Sequence, residues 1–330
     1  MSATSTIRIG VIGAGNLART RAESLTRIPQ VQLVAVASRT KEKTQRFAER
    51  YGVHKVFDDY RDLLASEVAA VIVATPNDTH YQIVKDALQA DKDILVEYPM
   101  VLYSEQASEI VHLVQERKAV VEVGFDSRFD PLDRKLRETV CAGGIGQPLW
   151  CSAQLLYHVD YQPERWYWQQ EATRGMLVSW MVERFDLLLR LFGEDEHVFA
   201  FQAPEVYAGE GVFQQQTCVV NLQFRGGAVG VVSLCCLAPP GFPASVVQVI
   251  GSEGGLWCDD RSLRFFTRSG EESTHVEAGS DPFAEETAHF VQCVRERAAA
   301  ENPPANSLKT LRVAEAALES LHEGRPISLS

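Results

Sequence analysis

The sequence predicts an α/β protein in two parts: a doubly wound parallel sheet, then an α+β domain with a large mixed or antiparallel sheet. Three observations predict it. The chain has 330 residues, which suits about two domains of ~150 residues. The first 123 residues alternate short β-branched runs with amphipathic segments, the strand–helix–strand rhythm of a parallel sheet. Beyond them, strand-like segments follow one another largely without crossover helices. Residues 217–223 there partly alternate apolar and polar side chains, as a sheet covered on one face requires. The expected domains are therefore 1–123 and 124–330, with the closing helices able to pack back on the first.

In order, 7–12, 31–37, 70–74, 94–96 and 120–123 are apolar runs bounded by turn residues and read as buried strands. Between them, 16–28, 41–51, 78–90 and 104–117 carry helical periodicity. In the second part, strands are expected at 149–157, 197–203, 217–224, 228–236, 246–251 and 263–267. Helices are expected at 131–141, 175–192, 284–299 and 307–322, the last two separated by the Pro-containing loop 301–307.

Composition excludes several classes. Hydrophobic residues make up 45% and charged residues 23%, the balance of a globular protein with real cores. The net charge is −12 and unevenly spread: residues 1–123 hold 15 basic and 16 acidic side chains, the remainder 17 and 28. Nucleic acid is thus not an expected partner, because phosphate binding needs a basic face. No apolar run approaches the ~20 residues that span a bilayer, so no membrane partner is expected. The N-terminus runs into its first strand without a signal-like apolar region. Seven cysteines include no C-x-x-C pair; an odd count fits reduced thiols and a cytoplasmic location. The eight histidines show no metal-ligand spacing, so no metal is expected.

The stretch 10–18, GVIGAGNLA, joins the first strand to the first helix and fits G-x-G-x-x-G/A. Gly13 allows the tight turn, Gly15 lets a pyrophosphate approach the backbone, and Ala18 allows helix–strand packing; Asn16 and Leu17 open the helix. The helix N-terminus offers free N–H groups to phosphates. At the end of the second strand, an acid would bind the adenosine ribose and select NAD. This chain has Ser38, Arg39, Thr40 and, further on, Lys43 instead. Hydroxyls and cations there favour NADP(H), with NAD(H) as the alternative.

Three further strings, ATPNDTH at 74–80, EYP at 97–99 and GFDSRFDP at 124–131, together with the glycine motif and the closing AEAALESLHEGRPISL, resemble the Gfo/Idh/MocA oxidoreductases over nearly the whole chain. The resemblance implies a Rossmann domain and a mixed-sheet domain whose face often makes a dimer interface, so a homodimer or higher homo-oligomer is expected. It also implies cofactor contacts at Thr75, Pro76, Asn77, His80 and Glu97. The sugar-oxidising members carry E-K-P, whose lysine assists alcohol deprotonation; Tyr98 stands there in this sequence. Their D-x-x-x-H motif aligns with Ser179 and Glu183, so that of its chemistry only the later Asp186 remains. The EYP string and the aromatic segment 161–168 are similar to those of biliverdin reductases in the same superfamily.

These readings give an NAD(P)H-dependent reductase of a conjugated or carbonyl small molecule, a bilin-like tetrapyrrole being the most specific candidate. The alternatives are a sugar, inositol or polyol dehydrogenase with an atypical proton relay, and a non-catalytic NAD(P)-binding sensor. Tyr98, Arg184 and Glu183 are the catalytic candidates: a phenol can donate a proton, a guanidinium can hold an anion, and a desolvated carboxyl can exchange a proton near neutral pH. Arg128, Trp166 and Tyr167 are the substrate-binding candidates, by charge and by aromatic stacking. The competing role of Arg128 is an ion pair with Asp126 or Asp130.

Overall fold

The computed structural model describes residues 6–242, 245–274, 279 and 281–329. The chain divides into two compact units, Met1–Asp126 with Asp281–Leu308, and Ser127–Ser280 with Lys309–Ser330.

The first unit runs β1 (Ile7–Ile12), α1 (Asn16–Thr26), β2 (Val31–Ala37), α2 (Lys41–Tyr51), β3 (Lys55–Phe57), α3 (Tyr60–Leu64), β4 (Ala70–Val73), α4 (His80–Gln89), β5 (Asp93–Glu97), α5 (Ser104–Arg117) and β6 (Val121–Gly124). Its six strands are all parallel, in the order β3-β2-β1-β4-β5-β6. The order reverses between β1 and β4, so the carboxyl ends of these two strands border the crevice where such sheets bind ligands. Ile9, Val11, Ile72 and Leu95 are fully buried in the core, which is why these strands read as unbroken apolar runs. β3 is only three residues long and left no such run in the sequence.

The second unit contains α6 (Pro131–Cys141), β7 (Pro148–Leu156), α7 (Gln170–Thr173), α8 (Met176–Ser179), α9 (Val182–Phe192), β8 (Asp195–Gln202), β9 (Thr217–Phe224), β10 (Val229–Cys235), β11 (Ser245–Gly251), β12 (Gly254–Asp259), β13 (Leu263–Thr267) and β14 (Gly270–Thr274). The chain closes with α10 (Pro282–Glu296), α11 (Pro304–Glu323) and β15 (Ile327–Ser328). The nine-stranded sheet has the order β14-β13-β12-β11-β7-β10-β9-β8-β15. β7 and β10 pair in parallel and the other neighbours are antiparallel. α9 packs on β7 and β10.

Two helix starts follow from local chemistry. Asp130 accepts from the N–H groups of Leu132 and Asp133, with Pro131 in the first turn of α6. Asp281 accepts from the Ala284 N–H ahead of α10, again followed by proline. An acceptor at the cap followed by a proline that lacks the donor is a strong start signal.

Of the closing helices expected to be able to pack back on the first domain, the segment Asp281–Leu308 groups with the first unit, so the second unit is not continuous over 124–330. α10 packs against α1 and belongs to the first unit, because Phe290, Val291, Cys293 and Val294 complete the apolar core there. The expected helix 175–192 is also interrupted, at Trp180, whose φ of −123° leaves the helical region. β12 and β14 were not anticipated; their glycines and charged residues hide the strand pattern. No helix among the described residues is long and apolar enough to cross a membrane.

Candidate active site

The glycine turn is built for an anion. Gly13 has φ +119°, and a Cβ there would sit 2.1 Å from the Ala74 carbonyl oxygen, so only glycine fits. Gly15 differs. Nothing lies within 4 Å of the position its Cβ would take, so packing within the protein does not require glycine there. Its neighbour Ala18 is fully buried. α1 has no side-chain cap and no acid in its first turn. Its first N–H groups therefore have no side-chain acceptor at the positive end of the helix. A pyrophosphate fits this uncapped, unobstructed cradle. Asn16 accepts from Arg19 within the same turn, and Leu17 is exposed.

At the end of β2, Ser38 accepts from the Thr40 N–H at 3.3 Å. Arg39, Thr40 and Lys43 are exposed, and neither Arg39 nor Lys43 makes an ion pair among the described residues. Their exposure leaves the guanidinium and hydroxyls available to a ligand.

Across the crevice, the loop after β4 is pinned from within. Thr75 and Thr79 hydroxyls meet at 2.7 Å. His80 is fully buried, with Nδ1 2.9 Å from the Pro99 oxygen and Nε2 2.8 Å from the Thr75 oxygen. Burial lowers its pKa, with the two carbonyls opposing. The ring is thus fully used in joining this loop to the loop after β5. Both ring nitrogens of this expected cofactor contact are therefore engaged by backbone carbonyls. Asn77 is buried on the short 3₁₀ turn between Pro76 and His80. Glu97 is also buried, with Oε1 2.6 Å from Arg21 Nε. Tyr98 follows, its ring tilted against Phe125 at 5.3 Å.

In the second unit, Arg128 is buried and forms a two-pronged ion pair with Asp186, Nε to Oδ2 at 2.9 Å and Nη2 to Oδ1 at 2.5 Å. Asp186 also accepts from Arg190 Nε at 3.0 Å. The buried Asp186 carboxylate thus occupies Nε and Nη2 of the guanidinium expected to bind substrate. Arg184 donates from Nη2 to Ser245 Oγ at 3.0 Å. Burial raises the Tyr157 phenol while nearby Arg184 opposes. Burial pushes Asp133 up to about 6, with Arg184 and Arg190 pulling the other way and Asp130 and Glu183 adding to the rise. Glu183 lies in the first turn of α9, buried like Arg184. Ser179 closes α8 and donates to the Gly175 oxygen at 2.8 Å, so it and Glu183 do not share one continuous helix.

Trp166 and Tyr167 pack edge to face at 5.9 Å, with Trp166 partly exposed. Trp168 is core: fully buried and stacked on Phe213 at 4.5 Å.

Sequence reasoning missed three groups. Arg21 and Glu286 join Glu97 in a buried charge cluster; an arginine in the buried Ala18–Ala22–Leu25 face of α1 was the available signal. Asp133 carried no signal beyond its helix start. In the third, Glu122, His289 and Cys293 converge, with His289 Nδ1 2.8 Å from Glu122 Oε2 and Nε2 3.6 Å from the thiol. Glu122 also accepts from the Asn302 N–H and the thiol donates to the Ala299 oxygen, which makes this a closed hydrogen-bonded cluster. His275 lies outside the described residues.

Comparison with known proteins agrees with this geometry. Residues 7–125 match the oxidoreductase family with an NAD-binding Rossmann fold, and residues 134–257 match the GFO/IDH/MocA C-terminal domain. The chain is 27% identical to the myo-inositol 2-dehydrogenase of Thermotoga maritima, covering 98% of both. It is 25% identical to the scyllo-inositol 2-dehydrogenase (NAD(+)) of Bacillus subtilis, covering 98% of this chain and 96% of that one. A levoglucosan dehydrogenase solved with NADH superposes with a TM-score of 0.91 at 19% identity, covering 98% of this chain and 99% of that one.

Proposed function

The chain belongs to the Gfo/Idh/MocA oxidoreductases and is an NAD(P)-dependent enzyme, and from that premise we propose that it oxidises a cyclic polyol or sugar of the inositol type. The observation that carries the substrate class is the end-to-end similarity to inositol dehydrogenases. This replaces the tetrapyrrole expectation. That reading rested on the EYP string and the aromatic segment 161–168, and Asp186 already holds Arg128, one of the two arginines offered to a bilin's carboxylates.

The residues divide the work as follows. Gly13, Gly15 and the head of α1 hold the pyrophosphate. Ser38 and Arg39 read the adenosine ribose, and Arg39 favours a 2′-phosphate there. Asn77 and the loop held by His80 support the nicotinamide end. A bound nicotinamide would supply the acceptor for the carbinol hydride. The hydroxyl proton must leave as the hydride does. Tyr98 stands where sugar-oxidising relatives carry lysine, and its phenol accepts this proton while releasing its own towards water.

The test is reduction of NAD⁺ and NADP⁺ with a panel of inositols, pyranoses and anhydro-sugars. Turnover with a polyol, lowered ~10²-fold by Tyr98→Phe at near-constant NADH affinity, is expected of a lost proton relay. Wild-type protein that binds NADH and turns over none of the panel refutes the substrate class. We also propose a homodimer through the open face of the second-unit sheet, where Phe201, Val229 and Ile250 are 58%, 46% and 50% exposed. Sedimentation showing a monomer at micromolar concentration, unchanged by Ile250→Glu, refutes that assembly.

A further inference from the structure

Within the first unit, Arg21 is completely buried and touches two carboxylates: Glu97 Oε1 and Glu286 Oε2 each lie 2.6 Å from its guanidinium. Its other hydrogen-bonding and ring contacts among the described residues come from α10. Nη1 lies 3.3 Å from the Phe283 oxygen and from Thr287 Oγ1, and the guanidinium sits 4.8 Å from the centre of the Phe283 ring. Gly124 closes the cluster from the side; a Cβ there would meet Arg21 Nη2 at 2.9 Å and Glu97 Oε2 at 3.1 Å. Glu97 ends β5 beside Gly124, its register partner on β6. Both lie at the carboxyl edge of the sheet, immediately before Tyr98.

One guanidinium and two ionised carboxylates would leave a net negative charge in a site closed to water, which carries a heavy desolvation cost. The geometry shows where it is relieved. Both Glu286 oxygens are buried without a hydrogen-bond partner among the described residues, Oε2 meeting Arg21 Nη2 as a close ion-pair contact, an arrangement that costs a carboxylate far more than a neutral acid. Burial pushes Glu286 well above the usual carboxyl range, with Arg21 opposing and Glu97 adding to the rise. Asp126, the other acid acting on Glu286, adds in the same direction.

We propose that Arg21 and Glu286 are positioning residues: they fix the Glu97 carboxylate, and with it the turn carrying Tyr98, for dinucleotide binding. Docking of α10 thereby sets the geometry of the cofactor site in the first unit. The proposal rests on the dinucleotide reading alone and does not depend on the substrate.

The experiment is titration of the full-length chain with NADH by nicotinamide fluorescence, alongside urea unfolding without ligand. Glu286→Ala is expected to raise the NADH dissociation constant at least tenfold. Glu286→Gln, which keeps the shape and neutrality of the protonated acid, recovers most of that loss. Arg21→Met weakens binding further. If Arg21→Met does not fold, Gly124→Ala supplies the second disturbance of the same cluster. The proposal is overturned if Glu286→Ala loses stability yet binds NADH as the wild type does, or if Glu286→Gln is as impaired as Glu286→Ala. Wild-type protein that fails to bind NADH overturns the dinucleotide reading itself. Binding without polyol turnover strikes only the substrate class.

Discussion

Substituting Gly15 by alanine separates fold from function more cleanly than any other change in this protein. The backbone there has φ −82° and ψ −166°, extended values open to any residue, and its Cβ would meet nothing within 4 Å. The fold loses only the small advantage of glycine over alanine at a helix cap, ~0.5–1 kcal/mol. The methyl group instead enters the space in which a pyrophosphate must approach the α1 N–H groups. A tenfold weaker NADH complex corresponds to ~1.4 kcal/mol, and at least that much is expected. Gly13→Ala is the control with the opposite balance. Its φ of +119° and the 2.1 Å approach to the Ala74 oxygen add backbone strain of ~1–3 kcal/mol to a steric clash, so the unliganded protein itself is destabilised. Urea midpoints of both variants and fluorescence titration of Gly15→Ala make the comparison. A Gly15→Ala protein that binds NADH within twofold of wild type would refute the cradle.

Arg39→Ala should weaken NADPH at least tenfold and NADH less than twofold; equal losses in paired titrations would remove the 2′-phosphate role. Arg128→Met leaves Asp186 buried with Arg190 alone and should cost about 3–5 kcal/mol in urea unfolding. A small stability change with a raised KM for polyol would return Arg128 to the substrate site. Asp133 reports on pH. Its native carboxyl titrates at about 6 against ~3.9 in an unfolded chain, so the native state binds that proton more tightly. Stability from this group is therefore greatest below pH ~4 and falls by about 3 kcal/mol as pH rises to the native value. Asp133→Asn should remove that slope in midpoints measured from pH 4 to 8, and an unchanged slope would contradict the assignment.

The local parts of the site were readable because each rests on a local rule. Gly13 obeys turn sterics, Ala18 obeys helix–strand packing, and Asp130–Pro131 and Asp281–Pro282 announce helices through capping alone. What failed was non-local. Arg128 looked like a ligand-binding cation because its partner, Asp186, lies 58 residues away. His80 looked like a cofactor contact because its two carbonyl partners belong to different loops. Glu286 gave no hint at all, since a charged residue on a helix normally faces water. The broken helix at Trp180 was hidden by continuous apolar periodicity, which records burial and not backbone angles.

The return of α10 to the first unit has a consequence for how the chain is made. Residues Asp281–Leu308 supply core side chains to a unit whose strands end by Asp126. A ribosome must therefore release almost the entire chain before the nucleotide unit can close. The intervening 127–280 segment is synthesised while the earlier sheet still lacks its α10 covering. Until then Arg21 and Glu97 have no third member, and Ala18 and Leu25 have no complete apolar surroundings. A chain stopped after residue 126 should accordingly be protease-sensitive on its own, and a peptide spanning 281–308, added separately, should protect it.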